Sequence, residues 1–422
     1  MVHEELWTLR DLFVLPNEYV YWSIQIVMYP FLTGLVAGAF VLSSLYHVFG
    51  IARLKDIARF ALVLSFALLP GALLPLLLHL QHPLRGINVM MTPHFTSAIA
   101  AFGVVFSTYF AIVASEVWFV YRRHFITRSA QLRDTPGRRA RERFAGFVYA
   151  VLTLGSRDLS DAALRTDEKA TKILAAVGIP VALFLHGYAG FIFGSVKANA
   201  LWMTPLMPVI FIVSAVVSGV AFCLLIYIVT TELAKLLSRR RRAGAARGSD
   251  KVARGAEVDV VRITARYLLI FLVLAVSLEL LDAVFRRYTA VKSWDVVRSA
   301  VYGNEFRQVF VLQYGIGAVV PLILLVIPRI GIPRAVAAAA LVLFGVFMMR
   351  WNVVIGGQSF SLTLAGYMHY LLPIVPHSLE TLKEGLVGAI GVMAFPLILF
   401  YVFSRVCPVL TPIDAGRLDP ES

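Results

Sequence analysis

The chain has 422 residues, of which 59% are hydrophobic and only 15% are charged, and its mean hydropathy is +0.78. Soluble proteins contain about half apolar and about a quarter charged residues, so this chain carries more apolar surface than a water-soluble core can bury. The composition therefore excludes a soluble globular protein and indicates a protein whose solvent is lipid. The formal net charge is +14, with 39 Lys and Arg residues against 25 Asp and Glu residues.

Apolar stretches long enough to cross a bilayer recur along the whole sequence, and about 20 helical residues span a hydrocarbon core of about 30 Å. Nine stretches meet this criterion, with approximate bounds Tyr19–Phe49, Ile57–Leu80, Ser97–Tyr121, Ile173–Phe193, Thr204–Leu236, Ile263–Phe285, Val309–Ile327, Ala335–Trp351 and Leu386–Phe403. Runs such as 73–78 are apolar at every position, whereas barrel strands alternate between lipid-facing and lumen-facing residues. The sequence predicts an all-α polytopic bundle of about nine transmembrane helices, with 1–422 as a single transmembrane domain.

The distribution of basic residues predicts the orientation of the bundle. With nine spans, 29 of the 39 Lys and Arg residues fall on one side, and such residues are retained preferentially in the cytoplasm. We therefore expect an outer N-terminus and a cytoplasmic C-terminus, in a prokaryotic cytoplasmic (inner) membrane. Residues 1–5 lack the basic start of a signal peptide, so we expect the first span to remain as an anchor.

The connections on the two sides differ in composition. On the cytoplasmic side, 122–172 is a basic loop and 237–262 a flexible basic loop, and both are interpreted as linkers. The run Arg239–Arg242 has no aromatic stacking platform beside it, so we expect no nucleic-acid partner. The predicted outer connections, including the loop 352–385, are rich in His, Trp, Tyr, Asn and Gly. Such residues hydrogen-bond and stack, so the functional face is expected on the outer side.

Charged residues inside the membrane are costly and require an explanation. Glu279 and Asp282 are three residues apart on one face of the sixth span, and Arg286 follows four residues later. They form either a proton path or a structural ion-paired cluster, and the sequence does not choose between the two. Cys223 and Cys407 are too few and too far apart to hold a thiolate metal site or a disulfide framework.

Histidine and other polar residues cluster at a similar depth near the outer ends of the spans. His79 and His82 end the second span at a spacing of three residues, His186 lies in the fourth, and Tyr21 and Gln25 begin the first. A quinone headgroup needs hydrogen-bond donors for its two carbonyl oxygens and a group that exchanges protons near neutral pH. Haem with two axial histidines is the competing interpretation. It ranks lower because no span carries two histidines about two helical turns apart.

Several stretches resemble the NrfD/polysulfide-reductase membrane-subunit family, in particular its longer members of about nine to ten transmembrane helices. The matching stretches are Tyr21–Gln25 with Tyr29–Gly38, His79–Asn88 with Met91–Ser97, His186–Trp202 and Arg350–Gln358. They cover most of the chain and follow the order of the family. One departure is that many members have an Asp and an Arg in the turn where this chain has His79 and His82 before Pro83. A carboxylate proton acceptor in this turn is therefore replaced by imidazole.

The resemblance implies a membrane anchor subunit of a respiratory oxidoreductase complex that interacts with quinone, either menaquinone or ubiquinone, and holds no metal, haem or iron-sulfur cluster itself. A ferredoxin-like iron-sulfur subunit on the outer face, with further catalytic or cytochrome subunits, would complete the complex. The implied quinone-binding residues are Tyr21, Gln25, His79, His82, Arg85 and His186. Glu279, Asp282 and Arg350 are the implied proton-path or structural charges, and coupling to proton translocation would depend on them.

Other classes of function remain open on the sequence alone. A secondary transporter also carries intramembrane charges and broken helices, but the sequence shows no internal repeat with paired Gly/Pro-interrupted spans. A haem b anchor and a purely structural anchor are the remaining alternatives. The polar residues near the outer ends of the spans favour the quinone-interacting subunit over these alternatives.

Overall fold

The structure is a computed structural model that describes residues 20–94, 96–97, 99–134, 140–196, 199–241, 250–288, 294–359 and 367–410. Within these residues nine helices are long and apolar enough to cross a membrane. They are α1 (Ile24–His47), α2 (Ala52–His79), α3 (Ala100–Asp134), α4 (Asp161–Gly194), α5 (Met207–Arg241), α6 (Asp250–Tyr288), α7 (Arg307–Val326), α8 (Ile332–Gln358) and α9 (Leu386–Val406). No strand occurs in the described ranges, so the predicted all-α bundle is confirmed.

The two ends of the bundle differ in what they expose. One end carries the start of α1, the end of α2, the end of α8 and the start of α9, and we call it the Glu384 end after the residue that lies shortly before α9. The opposite end carries the basic segments and is called the basic end. The predicted start of the first span at Tyr19 lies outside the described residues. The assignment of the Glu384 end to the outer side of the membrane stays a prediction.

Helix α1 is the centre of the bundle. Of its most apolar stretch 89% is buried, compared with 22% for α6 and α9 at the periphery. It packs against α2, α4, α5, α8 and α9. Ser23 caps its start by accepting a hydrogen bond from the backbone of Gln25, as expected for a helix N-cap. Because α1 touches five helices, a polar residue on any of its faces contacts another span.

Small residues allow α1 and α5 to pack closely. A Cβ atom added at Gly38 would overlap the carbonyl oxygen of Ala215, and one added at Gly219 would overlap the backbone of Gly38. Gly34 precedes Gly38 by one helical turn, and Ala215 precedes Gly219 by the same spacing. Small residues four apart let membrane helices approach until their backbones touch. This contact fixes the position of the central helix.

Two other helices depart from regular α geometry. Helix α2 is interrupted at Leu73, between the segments Lys55–Ala72 and Leu74–His79, where Pro75 enters the chain. Helix α7 begins as a π-helix over Arg307–Val319 and continues as an α-helix over Val320–Val326. Wide turns of this kind frequently occur at functional sites, and this one lies beside the cavity described below.

The basic segments are more helical than predicted. Segment 122–172 was interpreted as a loop, but α3 continues to Asp134, a separate helix spans Ala140–Leu152 and α4 begins at Asp161. In segment 237–262, α5 and α6 extend the helical structure to 241 and from 250 onwards, while residues 242–249 lie outside the described part. The last residue of the run Arg239–Arg242 is among them.

An ion pair joins the two ends of the 122–172 segment. Nε of Arg122 donates to both carboxylate oxygens of Asp167, at 2.9 and 2.8 Å, and Nη2 lies 2.8 Å from Oδ2 as an ion-pair contact. Its Nη1 atom donates to the Ser156 hydroxyl at 2.8 Å and to the Asp158 carbonyl at 3.0 Å. Both charged partners are buried, and the guanidinium joins α3, α4 and the connection between them. Paired, bidentate geometry of this kind is what a buried charge requires.

We expect Gly38→Val to unfold the bundle or lower its thermal midpoint strongly, because the added side chain would overlap the backbone of α5. Thermal unfolding in detergent and gel filtration measure the effect. Gly391→Val in α9 is the matched control, since a Cβ atom at Gly391 meets nothing within 4 Å. Equal stability of the two variants would contradict the close α1–α5 contact.

We expect Asp167→Ala to destabilise the protein by about 3–5 kcal/mol, because it leaves the Arg122 charge buried without its partner. Glu168→Ala removes a neighbouring carboxylate that forms no ion pair among the described residues, and it should change stability little. Denaturation of both variants in detergent provides the comparison. A small effect of Asp167→Ala would show that water replaces the ion pair.

Candidate functional site

A carboxylate links three helices at one end of the bundle. Glu384 ends the short helix Leu379–Glu384, just before α9. Its Oε2 atom accepts hydrogen bonds from Nδ1 of His79 at 3.0 Å and from the Ser23 hydroxyl. The amide of Gln25 donates to the neighbouring backbone carbonyl of Lys383 at 2.5 Å. We call Ser23, Gln25, His79 and Glu384 the Glu384 cluster.

The cluster is charged and partly accessible. The side chain of His79 is 24% exposed and that of Glu384 is 19% exposed. Burial raises the pKa of Glu384, but hydrogen bonds from His79 and Ser23 and the charges of His79 and Lys383 lower it more. The net result is a pKa below the usual range, so the carboxylate is ionised at neutral pH. An accessible imidazole–carboxylate pair can exchange protons with a bound molecule.

Backbone groups at the start of α1 are held by residues from the end of α8 and the segment after it. The N–H of Ile24 donates to the Tyr370 hydroxyl at 3.1 Å, and the N–H of Trp22 donates to Oε1 of Gln358 at 3.1 Å. The indole of Trp22 stacks on Trp202, with ring centres 5.1 Å apart and planes at 10°. These contacts provide acceptors for backbone N–H groups at the start of α1, which have no partner within the helix, and they fix Ser23 and Gln25 in position.

His186 and Arg350 meet in the interior of the bundle. Both side chains are fully buried, and Nη2 of Arg350 lies 2.9 Å from Nε2 of His186 and 2.7 Å from the Ser214 hydroxyl. The guanidinium carbon lies 3.8 Å from the ring centre of Phe211, which adds a cation–π contact. The Nδ1 atom of His186 lies 3.2 Å from the Thr33 hydroxyl in α1.

These contacts define the tautomer of His186. A guanidinium only donates hydrogen bonds, so Nε2 of His186 must accept from Arg350 and the ring proton must lie on Nδ1. That proton points to the Thr33 hydroxyl, which in turn donates to the Tyr29 carbonyl at 3.0 Å. Because both ring nitrogens have partners, this geometry favours a positioning role for His186 over direct contact with a quinone.

The charges of the sixth span face a separate cavity. Asp282 accepts from Nε of Arg286 at 2.8 Å and from the Thr204 hydroxyl at 2.5 Å. Glu279 accepts from Nε2 of Gln313 at 2.8 Å, and Nδ2 of Asn352 donates to Oε1 of Gln313 at 2.7 Å. Glu279 and Asp282 both line a cavity of about 280 Å³ at the Glu384 end of α5 to α8. The predicted stripe of charges on one helical face is present in the structure.

The polar residues predicted to share one pocket are divided between several places. Gln25 and His79 belong to the Glu384 cluster, whereas His186 is one of the interior pair. His82, Arg85 and Tyr21 are exposed. His79 and His82 do not share a helical face, although they are three residues apart, because α2 ends at His79 and Leu80 is extended. His82 precedes Pro83, and a residue in that position disfavours helical geometry.

Several polar residues of these sites were missed from the sequence. Glu384, Ser23, Thr33, Ser214, Gln313 and Asn352 all contact predicted site residues or one another. Glu384 is separated from His79 by 305 residues, and no local pattern indicates that pairing. The carboxylate that contacts His79 thus comes from the segment before α9. Asn352 lies in the stretch Arg350–Gln358, which carried part of the family resemblance. That resemblance was the one feature of the sequence that could have indicated Asn352 as a site residue.

Comparison with known proteins identifies the family. The family model of polysulphide reductase, NrfD, matches residues 15–362. A selenate reductase subunit of Mesobacillus selenatarsenatis is 32% identical over 50% of this chain and 49% of its own length. A putative dimethyl sulfoxide reductase membrane subunit of Halobacterium salinarum is 26% identical, over 80% of this chain and 69% of its own. The Hdr-like menaquinol oxidoreductase integral membrane subunit of Archaeoglobus fulgidus is 24% identical, over 48% of this chain and 40% of its own length.

The chain therefore belongs to the NrfD polysulphide reductase family. It is a multi-pass membrane protein, and its relatives are membrane subunits of reductase complexes with several subunits. The match spans about half the length of the selenate reductase subunit.

We expect the stability contributed by Glu384 to depend on pH. Its folded-state pKa lies below the unfolded value of about 4.3, so the contribution is complete above that value and disappears as pH falls through the folded-state pKa. Glu384→Gln should lower the thermal midpoint at neutral pH, and the difference from wild type should shrink in acid. Glu380→Gln, an exposed change in the same short helix, is the control. A difference that stays constant with pH would contradict this assignment.

Proposed function

We propose that this chain is the quinone-interacting membrane subunit of a respiratory oxidoreductase complex and that the Glu384 cluster exchanges protons with the quinone headgroup. Electrons pass between the quinone and an iron-sulfur subunit docked at the Glu384 end. The observation that carries the proposal is the accessible pair formed by His79 and Glu384 beside polar groups of α1. The name of the menaquinol oxidoreductase relative supports the choice of quinone as the substrate class.

The geometry of His79 suits a proton acceptor. Its Nδ1 atom is bonded to Glu384, and its Nε2 atom has no hydrogen-bond partner among the described residues. With the proton on Nδ1 donated to the carboxylate, Nε2 is free to accept a proton from a quinol hydroxyl. The adjacent carboxylate holds the ring in this tautomer and stabilises the imidazolium that forms, as in other carboxylate–histidine pairs.

The reaction releases two protons and two electrons from each quinol, and reduction of quinone is the reverse. His79 accepts one proton and, being partly exposed, passes it to water before the second is released. The electrons need an acceptor outside this chain, because Cys223 and Cys407 are too few to hold an iron-sulfur cluster. A partner that carries such a cluster must therefore dock close to Glu384.

We expect His79→Ala and Glu384→Gln to lower kcat/KM for quinol oxidation, measured on the complex purified with its native partner subunits. A hydrogen bond to a charged group contributes about 1.5–3 kcal/mol, which corresponds to a loss of about 10- to 100-fold. His377→Ala is the matched control, because His377 is exposed and belongs to none of the predicted site residues. Full activity of both cluster variants, or a comparable loss in the control, would overturn the assignment of this site.

A further inference from the structure

A second site for a small molecule lies away from the Glu384 cluster. The cavity of about 280 Å³ is enclosed by α5, α6, α7, α8 and the segment from Trp294 to Glu305, and no residue of the Glu384 cluster lines it. An apolar cavity of about 150 Å³ is large enough to hold benzene. A volume of about 280 Å³ therefore accommodates a substituted or bicyclic aromatic ring, but not a long isoprenoid tail.

One wall of the cavity carries a row of hydrogen-bonded side chains. Asn352 donates to Gln313, and Gln313 donates to Glu279, so the row runs from α8 through α7 to α6. The Oδ1 atom of Asn352 is buried and accepts no hydrogen bond from any described residue. Leaving a buried acceptor without a partner is unfavourable, so a ligand that supplies a hydroxyl donor there stabilises the site.

Aromatic and aliphatic side chains make up most of the remaining lining of the cavity. Trp294, Tyr302, Phe310 and Tyr314 contribute rings, while Tyr302 and Leu280 are 57% and 53% exposed on the surface of the bundle. Leu280 belongs to the apolar spanning helix α6, and we expect the exposed side chains of such a helix to face lipid. A flat ring can enter between the aromatic side chains, and an attached chain can remain in the bilayer.

The charges around the cavity argue against a phospholipid headgroup. Three carboxylates line the cavity, those of Glu279, Asp282 and Glu305. The two guanidinium groups of the lining belong to Arg286 and Arg298, and Arg286 already forms an ion pair with Asp282. An anionic phosphate would face three carboxylates in a site of low dielectric constant. A neutral ring that carries hydroxyl groups avoids this repulsion.

We propose that this cavity is a second quinol-binding site, in which the headgroup lies among the aromatic side chains and a ring hydroxyl donates to Oδ1 of Asn352. The proposal rests on the quinone-interacting function proposed above and adds a site to it. The cavity lies next to the π-helical part of α7, which supplies Gln313 and Tyr314. The site binds quinol, and no electron transfer is assigned to it.

The test is photolabelling of the purified complex with an azidoquinone, followed by identification of the labelled peptides. We expect two labelled regions in the wild type: one at the Glu384 cluster and one in α6, α7 or the segment between them. Ala283→Phe fills the cavity without removing a hydrogen bond, so it should abolish only the second label. Val284→Phe adds the same bulk to an exposed neighbour that does not line the cavity, and it should leave both labels intact.

Two further variants separate this proposal from the proposed function. His79→Ala should reduce only the label at the Glu384 cluster, and Asn352→Leu should reduce only the label at the cavity. Label confined to the Glu384 cluster, or label at the cavity that persists in Ala283→Phe, would overturn the second site and leave the proposed function standing. Absence of label from both regions would overturn both proposals.

Discussion

The close contact between α1 and α5 is the constraint on which the rest of the structure depends. Only glycine at positions 38 and 219 lets the two backbones approach so closely, and this approach places α1 at the centre of the bundle. Lipid provides no hydrophobic drive for helix association, so such packing and interhelical hydrogen bonds hold the spans together. Because α1 is central, Ser23 and Thr33 each reach a different polar group on another helix.

The interior charge of Arg350 is tolerated because its neighbours are arranged around it. A buried guanidinium is costly, and here it is surrounded by the Ser214 hydroxyl, an accepting imidazole nitrogen and the face of Phe211. This set holds α4, α5 and α8 in register, and Thr33 adds α1 through His186. The sites at the Glu384 end lie on helices that this interior network connects, so the network contributes to the geometry of both sites.

The sequence was sufficient to predict the helices but not their polar contacts. Hydropathy alone located the nine spans found among the described residues, because the length of an apolar stretch is set by the thickness of the bilayer. It also predicted the stripe formed by Glu279, Asp282 and Arg286, because the three residues share one helix. The partner of His79 was missed, since Glu384 lies in a segment whose folding depends on how α9 docks. The basic composition of the 122–172 segment did not reveal the pairing of Arg122 with Asp167, because the two residues are 45 positions apart.

The position of Glu384 has a consequence for how the proposed site is assembled. Its carboxylate comes from the short helix before the last span, whereas Ser23 and His79 come from the first two spans. The pair with His79 requires the segment before α9 to lie beside the end of α2, and α9 itself packs against α2. The second cavity, in contrast, is lined by residues between 201 and 356 and needs neither α1 nor α9 for its walls. The two sites can therefore be altered independently, which is why variants in one are informative about the other.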